Sequence, residues 1–489
     1  MIKLMCDARG DYREKFMNRL VALSGGDVEL GLHIGYDKAD YHGPALQWMR
    51  VKPARRGTLM ANTRQSGANL SLIASEEFGQ ILETTVEQLH RTSPHYAYRA
   101  HDVHHIQDYL DYFHILSDAI AQEILSDGIT HALFFNVPHL FYDTLYYEVA
   151  RALGVKTTIL SWSQFPGRFF SMNRVHDQGL FDPSKTKAPP YEMEQGTAPD
   201  LFYMDDKWQQ QGETGKLSAR AVAQFLKFLV RRDPAKLLNP RYIRDNLGRM
   251  SRIYSQLPDW RDPFAKFFHT SELAYFEHLA EYEKEPVDLS GKYIYVALHN
   301  QPEMSTSALG GKWRDQALVI EALARDLPEG WQILVKENPR QGAYARGPMF
   351  FHRLSRIPSV RIMPSSASTH ALAANAQFVA SVTGTVGWEA IRQGRPAMVF
   401  GAAWYGAFPG VVHYQPGLDF EDIAAIEIDH DALQDAAGAL LARTHEGLIE
   451  QLFFPMYPDL DHEDNATKVA QTALELLRGE RETTFGPDA

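Results

Sequence analysis

Residues 286–401 alternate between short apolar runs and segments with helical spacing. The apolar runs are typical of buried strands and lie at 292–298, 331–336, 359–363, 378–382 and 397–400. The helical segments lie between them, at 315–327, 369–376 and 387–393. Repeated strand, helix, strand units form a parallel sheet with helices on both faces. The alternation therefore predicts a Rossmann-like domain over 286–460.

The first half of the chain shows a weaker alternation of the same kind. It consists of helices at 115–125 and 143–154 and strands at 131–137 and 156–161. This predicts a second Rossmann-like domain over 1–285, with a helical insertion at about 176–285. The amphipathic segment 462–479 begins with an Asp or Asn cap and predicts one helix within 461–489.

Composition limits the kinds of partner and site. The chain of 489 residues is long enough for two domains, and its formal charge of −12 disfavours nucleic acid, because phosphate binding needs a basic surface. Its only cysteine, Cys6, rules out an internal disulfide and a cysteine-rich metal site. No apolar run approaches the roughly 18 residues of a membrane span, and the N-terminus has no signal-peptide pattern. We expect a cytoplasmic protein that uses no metal.

Polar residues, glycine or proline follow each strand of the predicted second domain. The segments concerned are 299–303, 336–339, 364–366, 383–385 and 401–405. In an open parallel sheet, ligands bind beyond the carboxyl ends of the strands. We therefore expect these segments to meet at one edge of the sheet and to form a binding site.

The sequence Thr383-Gly384-Thr385 lies where a strand gives way to a helix that begins near Val386. A tight turn there presents free backbone N–H groups and the positive end of a helix dipole, which together bind anions. The two hydroxyls add donors, and we interpret the turn as a phosphate site. Ordinary turn and capping chemistry is the alternative. Glu389, one turn later, either reaches a ribose hydroxyl or faces solvent.

Several segments resemble motifs of bacterial capsule polysaccharide biosynthesis proteins. The segments HNQPEMS (299–305), LVKENP (334–339) and VTGTVGWEAIRQGRPAMVFGAAWYG (382–406) are similar to the Gln-Pro-Glu motif, the His-Pro region and the Gly-Thr-x-x-x-Glu-Ala signature of that family. Residues 136–157 are similar as well. The resemblance covers about 131–170 and 290–415.

The resemblance implies a fold and a reaction, since the family includes retaining β-Kdo transferases. The implied fold is GT-B: two Rossmann-like domains whose parallel sheets face each other across a cleft, with the C-terminal helix returning to the first domain. The implied reaction is transfer of Kdo from CMP-Kdo, bound by the C-terminal domain, to a glycan or glycolipid acceptor of capsule or lipopolysaccharide. No cofactor is implied beyond the nucleotide-sugar donor, which is held by a helix dipole and basic side chains.

One position departs from the family. Asn338 stands where the family has histidine. Asparagine keeps a hydrogen-bond donor at this position, but it cannot carry the positive charge that a histidine could. A transferase or epimerase that uses a UDP-sugar therefore stays open, as does a catalytically degenerate scaffold in polysaccharide assembly.

The second domain holds most of the candidate residues. Glu303, a carboxylate at a strand end, and His299, a potential acid or base, are the expected catalytic residues. The expected substrate-binding residues are Gln301, Lys336, Asn338, Ser365, Ser366, Thr383, Gly384, Thr385 and Glu389. Lys336 is a natural counter-ion for a phosphate or a sugar carboxylate, although a strand-end lysine facing water would be ordinary.

The first domain adds four candidates. His139 and Asp143 follow the strand at 131–137 and should face the cleft, with Asp143 or Glu148 as a second catalytic carboxylate and His139 as a substrate contact. Arg168 follows the strand at 156–161 and could reach an anionic ligand. A purely structural role is at least as common for residues of these types.

A basic stretch suggests one further contact. Residues 227–252 contain eight Lys or Arg and two Asp. Solvated helix faces often have this composition. The functional alternative is peripheral contact with the anionic inner membrane surface or with an anionic glycan lipid.

Overall fold

The residues that the structure describes form two six-stranded sheets. The computed structural model describes residues 1–34, 64–92, 106–194, 196, 289–301, 303–338, 348–363 and 367–489, with scattered positions between 223 and 247. Most of the predicted insertion at 176–285 lies outside these residues.

The first sheet draws its strands from both ends of the chain. They are β1 (Ile2–Asp7), β2 (Val28–Ile34), β3 (His131–Phe134), β4 (Lys156–Trp162), β5 (Arg168–Met172) and β12 (His445–Glu446). Their order is β2-β1-β3-β4-β5-β12, and β5 runs antiparallel to both of its neighbours.

The second sheet is parallel throughout. Its strands are β6 (Tyr293–Ala297), β7 (Gln332–Lys336), β8 (Val360–Met363), β9 (Phe378–Ser381), β10 (Ala397–Val399) and β11 (Val411–His413). The order β8-β7-β6-β9-β10-β11 is that of a doubly wound Rossmann domain. Its inner strands are apolar and buried because helices cover both faces.

The described helices vary from one turn to more than five. They are α1 (Asp11–Leu23), α2 (Leu70–Ile73), α3 (Phe78–Thr92), α4 (Ile106–Ser126), α5 (Phe141–Ala152), α6 (Met304–Ser307), α7 (Gln316–Arg325), α8 (Pro348–Ser355), α9 (Thr369–Asn375), α10 (Thr385–Arg392), α11 (Phe420–Ala424), α12 (His430–Arg443) and α13 (His462–Arg478).

The last helix completes the first domain. Asp461 caps α13 by accepting hydrogen bonds from the next turn, and Gly479 ends it in the left-handed conformation. The apolar stripe of α13 packs on α1 and the first sheet. The predicted fold class, two Rossmann-like domains with a C-terminal helix that returns to the first, is confirmed. The chain already rejoins the first sheet at β12, and the exact domain limits stay a prediction.

Among the described residues, contacts join the domains on two sides. Aromatic rings that follow the carboxyl ends of β4 and β10, Phe165 and Trp404, lie 6.0 Å apart between centroids. The carboxyl edges of the two sheets therefore face each other. On the other side, Arg314 of the second domain forms ion pairs with Glu83 and Glu87 of α3.

Disrupting the contact of α13 with α1 should destabilise the first domain. Ala470 is fully buried in this contact, so Ala470→Asp should lower the free energy of unfolding by about 3–5 kcal/mol, the cost of a buried unpaired charge. Truncation after residue 460 should expose the same surface and reduce solubility. Thermal melting and light scattering measure both effects.

The matched control is Gln471→Asp, because Gln471 is exposed on the next position of the helix. Melting temperatures that fall equally in the two variants would contradict the packing argument. A truncated protein that stays monomeric and melts like the full chain would do so as well.

Candidate functional site

The candidate site lies at the switch point of the second sheet, where β6 and β9 are neighbours and their connections leave in opposite directions. His299 follows β6, and Thr383 follows β9. His299 is only 7% exposed, and its Nε2 lies 2.9 Å from Ser381 Oγ. The structure thus brings these two predicted segments together.

Several donors of the predicted anion-binding turn form hydrogen bonds within the protein. The Thr383 N–H donates to His299 Nε2 at 3.4 Å, and the Gly384 N–H donates to Ser381 Oγ at 3.0 Å. The Thr383 hydroxyl donates to the Ser305 carbonyl at 2.8 Å. The expectation that Thr383 and Gly384 offer free N–H groups is therefore wrong, because their donors face inward and hold the turn.

Close packing explains the glycine of this turn. Gly384 has ordinary extended backbone angles, with φ −70° and ψ 152°. A Cβ at this position would lie 2.8 Å from Ser381 Oγ and 3.0 Å from His299 Nε2. Glycine is needed because the histidine and the serine occupy that space.

The outward donors belong to the start of α10. The N–H groups of Thr385 and Val386 and the Thr385 hydroxyl have no hydrogen-bond partner among the residues that the structure describes. They lie at the positive end of the helix dipole, which favours an anion. The anion site stays a prediction, which now depends on Thr385 and Val386, one residue nearer to the helix.

Lys336 lies at the carboxyl end of β7 and is only 7% exposed. Its Nζ donates to Thr369 Oγ1 at 2.9 Å, and no carboxylate pairs with it within the described ranges. Burial lowers its pKa, since water no longer stabilises the ammonium. A buried ammonium without a counter-ion is costly, and an anionic ligand would offset that cost.

Glu389 is a buried carboxylate on the same face of α10 as Thr385, one turn later. It is 8% exposed, and burial raises its pKa to about 7 against the opposing effect of Arg392. It accepts no hydrogen bond from the part of the chain that the structure describes. Of the two predicted alternatives, solvent exposure is excluded, and the contact with a ribose stays a prediction.

Glu303 directly precedes the short helix α6, at its N-cap position, and is exposed. Its side chain does not cap the helix; its Oε2 instead accepts a hydrogen bond from Ser305 Oγ at 3.2 Å. Ser305 also lies 3.4 Å from His299 Nδ1, so Glu303 is connected to the turn after β9 through two side chains.

The other candidates of this domain differ in position. Gln301 is buried and donates to the Arg314 carbonyl at 2.5 Å, which fixes the loop before α7. Asn338 is partly exposed, and its N–H donates to Glu337. Ser365 and Ser366 lie outside the described residues.

The first sheet has its own switch point, between β1 and β3. Arg9, just after β1, forms two hydrogen bonds with Asp7 and one ion pair with Asp143 at 3.3 Å. The other carboxylate oxygen of Asp143 accepts hydrogen bonds from the backbone N–H groups of His139, Leu140 and Thr144. Asp143 is 1% exposed, so it holds the start of α5 and the guanidinium in place.

Burial shifts the pKa values of Asp143 and His139 at this switch point. Burial raises the pKa of Asp143, although Arg9 opposes the shift. Burial also lowers the pKa of His139 to about 4, so the ring is neutral at pH 7. Its Nδ1 lies 2.7 Å from the Val137 carbonyl and donates to it, which leaves Nε2 as the acceptor.

Glu148 and Arg168 have partners elsewhere. Glu148 accepts a hydrogen bond from Arg151 at 3.0 Å, next to Glu77, and burial raises its pKa to about 7. Arg168 lies 3.5 Å from Glu446 of β12, at the rim of a cavity of about 620 Å³ formed with residues 456–468. The partners described for these two residues do not include Asp143 or His139, and the predicted roles of Glu148 and Arg168 stay predictions.

Sequence reasoning did not find Asp7, Arg9, Ser305 and Ser381. The first two lie in CDARGDYREKF, where a strand, a glycine turn and a helix follow each other as they do at Thr383. Gly10 has φ 92°, which favours glycine at the turn. This pattern could have identified the site.

The described part of the chain contains no group of three or more His, Cys, Asp or Glu arranged to hold a metal ion. Two Asp-x-Asp sequences occur, and in each one an aspartate, Asp429 or Asp461, caps a helix. Among the same residues, no helix combines the length and apolarity that crossing a membrane requires.

Several solved structures are similar to this chain. KpsC of Thermosulfurimonas dismutans, a beta Kdo 2,7 transferase, has 12% identity and a TM-score of 0.30, covering 72% of this chain and 90% of its own. Anabaena Alr3699/HepE, solved with UDP-glucose, has 11% identity and a TM-score of 0.26, covering 74% and 68%. The UDP-GlcNAc 2-epimerase of Methanocaldococcus jannaschii has 10% identity and a TM-score of 0.23, covering 90% and 97%.

Sequence comparison finds a family match over part of the chain. No curated protein matches the chain. Residues 292–436 match the family described as "Capsule polysaccharide biosynthesis protein". This region holds the whole second sheet and the candidate site at its switch point. Over residues 292–436, about 30% of its length, the chain is therefore similar to capsule polysaccharide biosynthesis proteins.

Proposed function

We propose that this protein is a glycosyltransferase of capsule or lipopolysaccharide assembly that transfers a sugar from a nucleotide donor to a glycan or glycolipid. One observation carries the proposal. Lys336 and Glu389 are buried and form no ion pair with the residues that the structure describes, and they lie at the same sheet edge as the unused donors of Thr385 and Val386. A phosphate and a ribose would satisfy these groups.

The chemistry of glycosyl transfer fits this arrangement. Negative charge develops on the departing phosphate, and positive charge develops at the anomeric carbon. Lys336 and the start of α10 would stabilise the phosphate. Glu303, exposed at the end of β6, would act on the sugar as nucleophile, acid or base, or orienting group. Asp143 and His139 across the cleft would serve the acceptor side.

We propose CMP-Kdo as the donor, on the strength of the sequence motifs. Because Asn338 stands where the family has histidine, UDP-sugars should be tested as donors as well. The reaction would need no metal, because Lys336 and the helix dipole supply the positive charge.

Nucleotide binding can be tested by thermal shift with CMP, UDP, GDP and ADP. A nucleotide that binds only the native state at about 100 times its Kd adds roughly 2.7 kcal/mol of stability. We expect CMP to raise the melting temperature most, and Thr385→Ala to reduce the shift. Equal melting with all four nucleotides would contradict the proposal, and a shift with UDP alone would replace CMP by a UDP-sugar.

We further propose that the protein contacts the inner membrane surface from the cytoplasm through residues 227–252. Arg231 and Arg232 lie outside the described residues. Exposed Lys227, Arg241 and Arg244 occur in this stretch with exposed Val230 and Leu238, and exposed Leu226 directly precedes it. Basic residues near an anionic surface contribute roughly 1 kcal/mol each, and apolar side chains add to this.

Charge reversal of Arg241 and Arg244 to Glu should weaken binding to anionic liposomes by about tenfold or more in low salt. Reversal of Arg356 and Arg361, both exposed in the second domain, changes the net charge equally and serves as the control. Cosedimentation measures both. Native protein that stays in the supernatant would contradict the membrane contact.

A further inference from the structure

A chain of hydrogen bonds runs from the turn after β9 to Glu303. Ser381 Oγ lies 2.9 Å from His299 Nε2, and His299 Nδ1 lies 3.4 Å from Ser305 Oγ. Ser305 Oγ lies 3.2 Å from Glu303 Oε2. The chain begins at buried groups, since Ser381 and His299 are 1% and 7% exposed, and ends at an exposed carboxylate.

The backbone fixes the direction of these hydrogen bonds. The Thr383 N–H points at His299 Nε2, so this nitrogen must be an acceptor. A neutral ring that accepts at Nε2 carries its proton on Nδ1. Ser381 is consistent with this tautomer, because its oxygen accepts the Gly384 N–H and its own proton is available for Nε2.

The tautomer determines what Ser305 does. With its proton on Nδ1, His299 donates to Ser305 Oγ. The Ser305 hydroxyl then has its own proton to donate, and Glu303 Oε2 is the acceptor in reach. If the proton were on Nε2, the Ser305 hydroxyl could donate to Nδ1 instead and leave Glu303.

We infer that Ser305 is a positioning residue that holds the Glu303 carboxylate for glycosyl transfer and is itself oriented by the Nδ1–H tautomer of His299. The inference rests on the proposed function. Glu303 is exposed just before a one-turn helix, where a glutamate has many rotamers, and the Ser305 hydroxyl selects among them. The arrangement also connects the turn after β9 to the carboxylate, since His299 contacts the turn and Ser305, and Ser305 contacts Glu303.

The test compares Ser305→Ala with Ser305→Thr, which keeps a hydroxyl. Ser307→Ala, on the same helix, is the matched control. Ser305→Ala should lower kcat by about 10–100-fold and leave the donor KM within a few-fold, because misplacement of a reacting group acts on turnover. Ser305→Thr should recover most of kcat, and Ser307→Ala should resemble the native protein. Native kcat in Ser305→Ala would overturn the inference.

A second measurement does not depend on activity. In protein with ¹⁵N-labelled histidine, the signals of His299 are assigned from their loss in His299→Asn. We expect a protonated Nδ1 and a bare Nε2, with the Nδ1 signal shifted in Ser305→Ala and unchanged in Ser307→Ala. Protonation at Nε2 would overturn the inference. A native protein without turnover on any nucleotide-sugar would instead contradict the proposed function, while the spectrum would still decide the tautomer.

Discussion

Glu303→Gln is expected to reduce turnover by about 10²–10⁴-fold and to leave nucleotide affinity within a few-fold. Glutamine keeps the size of the side chain and its ability to accept from Ser305, but it can neither attack the sugar nor exchange a proton. Nucleotide affinity should change little, because the groups expected to hold the phosphate are the outward donors of α10 and Lys336, not Glu303. Donor turnover and nucleotide titration, performed on the same preparation, separate the two effects.

Glu329→Gln is the matched control for this change. Glu329 is exposed in the turn before β7, at the opposite edge of the sheet, so its neutralisation should change neither quantity. Turnover near the native value in Glu303→Gln would remove this carboxylate from the mechanism. A loss of nucleotide affinity as large as the loss of turnover would make it a binding residue instead.

Lys336→Met is expected to weaken nucleotide binding by about 10–100-fold and to stabilise the empty protein. A hydrogen bond from a charged group contributes about 1.5–3 kcal/mol, and the ligand's phosphate loses it. Without ligand, the buried ammonium has a hydroxyl but no carboxylate beside it among the described residues, so methionine should raise the free energy of unfolding by about 1 kcal/mol or more. Isothermal titration and denaturant unfolding measure the two effects.

The gain in stability should depend on pH. The pKa of Lys336 is lowered in the folded protein, so the destabilisation is fully present below that folded pKa. As pH rises toward the ordinary lysine value of about 10.4, the folded protein loses the proton first and the native chain regains stability. The difference between Lys336→Met and the native chain should therefore be largest at neutral pH and shrink in alkali.

Lys292→Met provides the comparison. Lys292 is exposed at the amino end of β6, away from the edge where the ligand would bind. It should change neither affinity nor the pH dependence of stability. Unchanged nucleotide affinity in Lys336→Met would place the phosphate elsewhere, and a less stable empty protein would contradict the cost assigned to the buried ammonium.

The second sheet was predictable because its strands are short, apolar and regularly spaced. A polar residue that directly follows such a strand must lie at the carboxyl edge, and His299, Lys336 and Thr383 do so. Their hydrogen bonds were not predictable. Whether the Thr383 N–H faces a ligand or the protein depends on a histidine that is distant in sequence and adjacent only through the pairing of β6 with β9.

The first sheet was harder to predict. Its opening unit, β1 to β2, went unrecognised, and with it Asp7 and Arg9. Glu148 shows a further limit, since sequence places it on α5 but does not tell which side of the helix meets the cleft. In the structure it pairs with Arg151 on its own helix. The antiparallel β5 and the distant β12 follow no local pattern, because only tertiary pairing defines them.

The return of the chain to the first sheet has a consequence for folding during synthesis. All six strands of the second sheet leave the ribosome before β12 and α13 are made. The second domain can therefore form its own core while Phe16, Met17 and Leu20 of α1 still lack the helix that covers them. A nascent chain that has passed residue 413 but not 478 would expose this apolar surface, and chaperones that bind such surfaces would meet it there. The domain that is translated first is thus the last to be completed.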